Sequence, residues 1–419
     1  GIQMVTYPDS EKHGCYLNNS EIYKKIGEIA KYRRGSFPQP YDNPEWYGGV
    51  GAMPFVQVAD ISDNMILNEK TNKTISVKAQ PKSVFVPKGT VVISLQGSIG
   101  RVAITQYDSY IDRTVAVFQD LANNVDKKYF LYQLYRVFSE EKKAARGSTI
   151  KTITKEEFTE FQLPLPEKAE QEEIACTLSQ FDTYIDDLAE LIEKKKGIRD
   201  GALEDLITKK TRLDGYADDW TPVTFNQVII PKARIGWQGL KKHEYLRSGY
   251  SYLIGGTDFN NGTVSLDNIS YVSKERYDMD TNIQVSENDV LVTKDGTIGK
   301  VAIVPKLNKP ATLNSGVFVF RTNSRLVPAF LFRVLQSSVF REFIDTLSAG
   351  STIKHLYQKD LKKFEFEIPA DTKEQEAIAA VLTAMDEEIR DLETERKKMI
   401  QIREGAMDDL LTGRVRLTK

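Results

Sequence analysis

The chain repeats itself. Gly97-Ser98-Ile99-Gly100-Arg101-Val102-Ala103-Ile104 returns 199 residues later as Gly296-Thr297-Ile298-Gly299-Lys300-Val301-Ala302-Ile303. Gly147-Ser148-Thr149-Ile150-Lys151 returns after 203 residues as Gly350-Ser351-Thr352-Ile353-Lys354. Glu170-Gln171-Glu172 and Ile198-Arg199-Asp200-Gly201-Ala202 both return after 204, as Glu374-Gln375-Glu376 and Ile402-Arg403-Glu404-Gly405-Ala406. Self-similarity on this scale means one structural unit built twice. Between the shared motifs the copies differ almost completely, as in residues 32–46 against 231–245. Two frames have been kept while what they carry has changed.

Each copy opens with β-branched runs broken by Gly, Pro, Asn or Asp, such as Ser83-Val84-Phe85-Val86-Pro87-Lys88-Gly89-Thr90-Val91-Val92-Ile93 and Asp289-Val290-Leu291-Val292. These predict strands, with a helix following near 127–143 and 328–346, so each module is a β-rich mixed α+β domain. After Pro164 and Pro166, and again after Pro369, apolar residues fall alternately four and three apart. In the first copy they are Ile174, Leu178, Phe181, Ile185, Leu188 and Ile192; in the second, Ile378, Leu382, Met385, Ile389 and Leu392. Beyond a charged interruption the stripe is expected to resume at Ile198, Ala202 and Leu206, and at Ile402, Ala406 and Leu410. A heptad seam of that length predicts a coiled coil.

The expected order is therefore a first recognition-type module over 1–165, a long helix over 166–213, a second module over 214–368 and a second long helix over 369–419. If the second module begins and ends near one point, the helices run antiparallel. Each would be ~60 Å long at 1.5 Å per residue. That places the modules at opposite ends of a rod with pseudo-two-fold symmetry.

Composition bounds the function. No run approaches the roughly 18 apolar residues of a membrane span, which points to a soluble cytoplasmic protein with no membrane partner. Cys15 and Cys176 make no Cys-x-x-Cys pair and read as incidental thiols. The three histidines, His13, His243 and His355, have neither metal nor catalytic spacing. The net charge of −2 is unevenly spread: 167–212 holds 8 basic and 12 acidic residues and 371–419 holds 9 and 12. The helices thus carry −7 and the modules +5, mildly basic and compatible with phosphate contact.

A rod bearing two unlike modules related by a two-fold is suited to reading two half-sites on one duplex of double-stranded DNA, with an unread spacer between them. At this point a family resemblance becomes specific. The order module, helix, module, helix, the paired Gly-x-Ile-Gly-[Arg/Lys]-Val-Ala-Ile and Gly-Ser-Thr-Ile-Lys motifs, and the Glu-Gln-x-x-Ile-Ala openings of each long helix shortly after a proline resemble the specificity subunit of Type I restriction-modification enzymes. Asn43-Pro44-Glu45-Trp46-Tyr47-Gly48-Gly49, Pro54-Phe55-Val56 and Asp60-Ile61 are similar to the opening of that family's target-recognition domains, and Ile235-Gly236-Trp237-Gln238-Gly239-Leu240-Lys241 to a different subtype. The resemblance implies a subunit without chemistry of its own. It would dock two methyltransferase subunits on its long helices, and through them restriction subunits, with Ile174, Leu178, Phe181, Ile185, Leu188, Ile378, Leu382, Met385, Ile389 and Leu392 forming the coiled-coil or partner interface. S-adenosylmethionine, ATP and Mg would be bound by those partners; no cofactor or metal is expected in this chain.

Base readout needs long donors and acceptors on loops. In the first module Lys31, Arg33, Arg34, Ser36 and Gln39 are candidates, with Tyr32 and Phe37 interleaved; in the second, Lys232, Arg234, Trp237, Gln238, Lys241, Lys242 and His243. These segments diverge most between copies, as half-site readers should; singly, each also reads as a solvated residue or phosphate contact. The glycine loops, with Gln96, Ser98 and Arg101 in one copy and Lys294, Thr297 and Lys300 in the other, read equally as phosphate cradles or as structural hairpin turns. Ser148, Thr149 and Lys151, with Ser351, Thr352 and Lys354, suit a phosphate or the methyltransferase, or alternatively cap the helices holding Glu156 and Asp360. Arg113 and Asn314, at near-equivalent places, are weaker candidates against strand-end polar residues. Lys194-Lys195-Lys196 and Arg396-Lys397-Lys398 read as a solvated helix face or as a contact for DNA or a partner.

An enzyme would need a methyl-donor glycine loop with an Asn/Asp-Pro-Pro-Tyr motif, or a nuclease metal site; Asn43-Pro44-Glu45-Trp46 only superficially matches the former. A coiled-coil scaffold that never binds DNA would explain the helices but not two diverged modules on kept frames.

Overall fold

In a computed structural model of the chain, the described residues are 3–6, 23–144, 155–348 and 355–418. They form two compact units, Gly1–Ala189 with Thr394–Lys419, and Glu190–Glu393. Compactness groups the chain differently from its order in sequence, because each 40-residue helix, Lys168–Ile207 and Thr372–Leu411, gives one part to each unit.

In the first unit, four antiparallel strands stand in the order Ala30–Arg34, Val115–Leu121, Val91–Ser94, Val102–Ile104. A second sheet has the order Lys73–Ile75, Met53–Val56, Ser109–Ile111, Val84–Val86, its middle pair parallel. Strand periodicity explains why the central strands read as unbroken apolar runs. Val91, Ile93, Ala116 and Phe118 face the core beneath helix Lys127–Ala144, whereas Val92, Val115 and Val117 face the other sheet. Both faces are buried, so no polar alternation survives. The second unit repeats the plan: Val290, Val292, Phe318 and Phe320 face helix Pro328–Gln336, and Leu291, Val317 and Val319 face its second sheet.

The second module is entered and left at one place. Trp220–Thr224 pairs antiparallel with Glu365–Pro369, from Trp220 against Pro369 to Thr224 against Glu365. In the first unit Tyr23–Lys25 pairs in the same way with Gln162–Pro164. The last strand of the chain, Val415–Thr418, also pairs antiparallel with Gln3–Thr6.

The long helices run antiparallel in each unit, as expected. In the first, Glu170 meets Arg416, Asp182 meets Arg403 and Tyr184 meets Glu395; in the second, Lys195 meets Glu388, Arg199 meets Asp386 and Arg212 meets Glu374. The apolar stripe divides its work. Ile174 and Leu178 belong to the core of the first unit, and Ile378 and Leu382 to that of the second, so the first turns of each helix floor a module. Ile185, Leu188 and Ile389 are buried further along, and Phe181, Met385 and Leu392 are half-buried. Resumption of the stripe at Ile198 and Ile402 is not observed: both are exposed, and burial resumes at Leu203, Leu206 and Ile207 and at Met407, Leu410 and Leu411. An α-helix has 3.6 residues per turn, so a strict heptad stripe drifts round its surface and a different row is buried further along.

The Glu-Gln motif that opens each helix is a joint. Gln171 Nε2 donates to the carbonyls of Asn124 and Pro166, and its Oε1 accepts from Asp126 N–H at 2.8 Å. Gln375 does the same with Arg325, Pro369 and Val327. Both side chains are fully buried and satisfied. The preceding glutamates, Glu170 and Glu374, each take a two-pronged ion pair from an arginine just beyond the other long helix, Arg416 and Arg212.

Candidate nucleic-acid interface

In the first module, Lys31, Arg33 and Arg34 lie on the strand Ala30–Arg34 and not on a loop. All three are exposed; their backbone pairs with Val115–Leu121, and their side chains make no hydrogen bond or ion pair among the described residues. The strand is at the edge of its sheet, where lysine and arginine also discourage pairing with a foreign strand. Ser36 is half-buried and donates Oγ to the Lys82 carbonyl at 3.0 Å; Gln39 is exposed.

Around them sits an aromatic nest not picked out as a site in the sequence. Phe37 is buried against Tyr41, Tyr47 and Phe55, with ring centroids 5.0, 5.2 and 4.6 Å away. Cations rest on its rim: Lys73 over Tyr47 at 4.6 Å, Lys82 over Trp46 at 4.9 Å and Arg113 over Tyr41 at 5.5 Å. Tyr41 donates to Asp112 at 3.0 Å, and burial together with that carboxylate pushes its phenol above the usual range. Arg113 thus joins the segment around Ser36 and Gln39. Its traces in sequence were Phe37 among the candidate readers, Phe55 and the Asn43-to-Gly49 motif, whose Trp46 and Tyr47 tie back to the carbonyls of Pro40 and Tyr41.

The second module carries a different set on the same frame. Asp112 N–H bonds to Val56 and Asn314 N–H to Ile254, so the frame counterpart of Asn314 is Asp112 and that of Arg113 is Ser315. Asn314 Oδ1 accepts from Tyr245 OH at 3.3 Å. Arg234 is 2% exposed, with Nε donating to the Leu313 carbonyl at 2.9 Å, and Gln238 is 6% exposed. A base reader must reach solvent, so burial counts against both; Arg234 is braced inside the module, and desolvation, aided by Arg276, lowers its pKa. Lys232 is half-buried at the edge of its sheet, and Trp237 sits in the turn Gly236–Gln238. Lys241, Lys242 and His243 are exposed on a short turn fixed by Glu244, which accepts from Lys241 N–H and is paired with Arg276.

The glycine loops are built as hairpin turns. Ser94 Oγ donates to the Ser98 carbonyl and accepts from Arg101 N–H; Thr293 Oγ1 makes the same two bonds with Thr297 and Lys300. Gly97, Gly100, Gly296 and Gly299 all have φ between 71° and 79°. At Gly100 a Cβ would come within 2.6 Å of Phe138. Arg101 spends its donors inside the module, on Asp63 and on the Ile61 carbonyl. Gln96 is half-buried, Ser98, Thr297 and Lys300 are exposed, and Lys294 lies 5.7 Å from the Phe318 ring centre. The segment leaving the second Gly-Ser-Thr-Ile-Lys motif docks on this turn: Leu356 N–H bonds to the Lys294 carbonyl, and His355 Nδ1 lies 2.6 Å from Asp295 Oδ1. Ser148, Thr149, Lys151, Ser351, Thr352 and Lys354 themselves lie outside the described residues. The helix containing Asp360, Gln358–Leu361, has Tyr357 as its N-cap.

On the helices, Lys195 and Lys196 are paired with Glu388 and Glu393, which makes that part of the basic cluster a helix-to-helix contact. Among the described residues no group of three or more His, Cys, Asp or Glu side chains could hold a metal, and no helix is long and apolar enough to cross a membrane.

The repeated frame and its helix joints define a tandem protein of two α+β modules, each with its own surface chemistry. Residues 19–196 and 218–401 match the Type I restriction modification DNA specificity domain. The chain belongs to that family and carries two copies of its domain. It is 23% identical to the Type I restriction enzyme MjaVIII specificity subunit of Methanocaldococcus jannaschii, over 97% of this chain and 96% of that one. It is 24% identical to the EcoBI specificity subunit of Escherichia coli, over 81% and 75%. A crystal structure of the S subunit from M. genitalium shares the fold, with a TM-score of 0.57 at 17% identity over 94% of this chain and 97% of that chain.

Proposed function

We infer that this chain is the DNA specificity subunit of a Type I restriction-modification enzyme, each module reading one half of a bipartite, asymmetric target. The observation that carries the reading is the pairing of a kept frame with an exchanged surface. The glycine turn, the Glu-Gln joint and the two-faced sheet recur in both units, while the segments 30–47 and 229–246 have almost nothing in common. In the first module the readers would be Lys31, Arg33, Arg34, Ser36, Gln39 and Arg113; in the second, Lys232, Trp237, Lys241, Lys242, His243 and Asn314. Exposed lysines and arginines without carboxylate partners suit phosphate contact and guanine edges.

The antiparallel helices would fix the unread spacer and dock two methyltransferase subunits, with restriction subunits joining through them in the cytoplasm. Methyl transfer and any ATP-driven step would belong to those partners. The test is to co-express the chain with its neighbouring methyltransferase gene and map modified bases across the host genome. A split motif with a fixed gap is the expected result, and replacing residues 23–164 by another family module should change one half of it only. If every site vanishes or both halves change together, the division of labour is wrong.

A further inference from the structure

The loop after Tyr47 has no place in the reading above. Gly48, Gly49 and Gly51 have φ of 67°, 89° and 78°. Ala52 N–H donates to the Gly49 carbonyl at 3.2 Å. Residues 49–52 thus form a β-turn with Val50 at the second position and Gly51 at the third, where a type II turn needs positive φ. Val50 is fully exposed at the tip, and Val77, beside Gly51, is more than half exposed.

The turn is anchored. Gly48 N–H bonds to the Thr74 carbonyl at 3.0 Å, and Gln80 Nε2 to the Gly51 carbonyl at 2.9 Å. Its stem, Tyr47, stacks on Phe37 and donates to the Tyr41 carbonyl at 2.7 Å, so the loop stands on the segment that differs between the modules. Lys73 and Lys82 flank it without a carboxylate partner among the described residues, whereas Lys78 is paired with Glu45, and Asp42 lines the cleft beside Gly48. An apolar side chain fixed in water contributes nothing to the core. In the corresponding stretch of the second module, Arg247-Ser248-Gly249-Tyr250, a serine stands in the place of Val50.

On the reading that each module recognises a half-site, we propose that Val50 is a base-reading residue of the first module, meeting a thymine 5-methyl group in the major groove while Lys73 and Lys82 hold flanking phosphates. The reasoning is chemical. Valine cannot hydrogen-bond, and the one apolar group on the major-groove edge of a base pair is the thymine methyl. The nearby cations supply the affinity that holds the loop in the groove.

The test uses the full chain assembled with its methyltransferase subunits and duplexes of the mapped target. Each thymine of the first module's half-site is replaced singly by deoxyuridine, which lacks the methyl. One such replacement should weaken wild-type binding about three- to five-fold, the worth of one buried methyl. Val50→Ser should bind the thymine duplex more weakly by a similar factor and be indifferent to that replacement. Deoxyuridine in the other half-site should affect both proteins alike. A half-site without thymine, a Val50→Ser protein that binds as the wild type does, or equal loss on thymine and deoxyuridine, as a wedge between base steps would give, overturns the assignment. If wild type yields no split target at all, the half-site reading itself fails and this proposal falls with it.

Discussion

Asp186 shows how a single side chain on a helix face can cost stability. Burial is the main cause that raises its pKa, the charge of Asp182 one turn earlier adds to it, and Arg396 opposes both. For a carboxyl raised in this way, stability is full below the unfolded value and lost as pH rises through the folded one. At neutral pH the native state therefore carries the ionised group at a cost. Asp186→Asn should raise the melting temperature at pH 7 by no more than a few degrees, given solvent screening, and the difference from wild type should vanish by about pH 3. A variant that melts lower at pH 7 would contradict the argument. What could be read residue by residue was uneven. The Glu-Gln pair was legible as a motif, but that Gln375 satisfies three backbone groups at once was not, because its partners come from segments up to 50 residues away. Arg234 looked like a reader because sequence records charge and not burial; at the corresponding place the first module has Gly35, whose backbone lies where a Cβ would come 2.3 Å from the Ile111 carbonyl.

Among the elements, the long helices were the most legible, since period and length depend on local chemistry alone. Less legible was how a module is bolted to its helix. In the second unit Asp386 accepts from Arg333 of the module and from Arg199 of the opposing helix; in the first, Asp182 accepts from Tyr132 and pairs with Arg403. The two aspartates are 204 residues apart, on the repeat offset, yet one partner changed from tyrosine to arginine. Burial lowers the pKa of Arg333, and Asp386 is what holds it up. Asp386→Ala would leave that guanidinium, only 4% exposed, without its carboxylate. The expected loss is about 3 kcal/mol in urea denaturation, the low end for breaking a buried pair because Asp386 is partly exposed. Asp182→Ala strands the phenol of Tyr132 together with Arg403, whose side chain is only 10% exposed, and should cost a similar amount; no loss in either variant would argue against desolvation as the cause.

For the molecule as a whole, the repeat was the most informative part of the sequence, and what it left out is where the chain closes. The ribbon formed by Gln3–Thr6 and Val415–Thr418 brings the two extremities of the described chain side by side. Joining the present ends through a short flexible linker and opening the chain between Lys210 and Trp220 instead should give a permuted protein that folds and keeps the same target, read out by the same methylation map. A permutant that is insoluble or shifts its target would mean that the order in which the segments are joined matters to the fold.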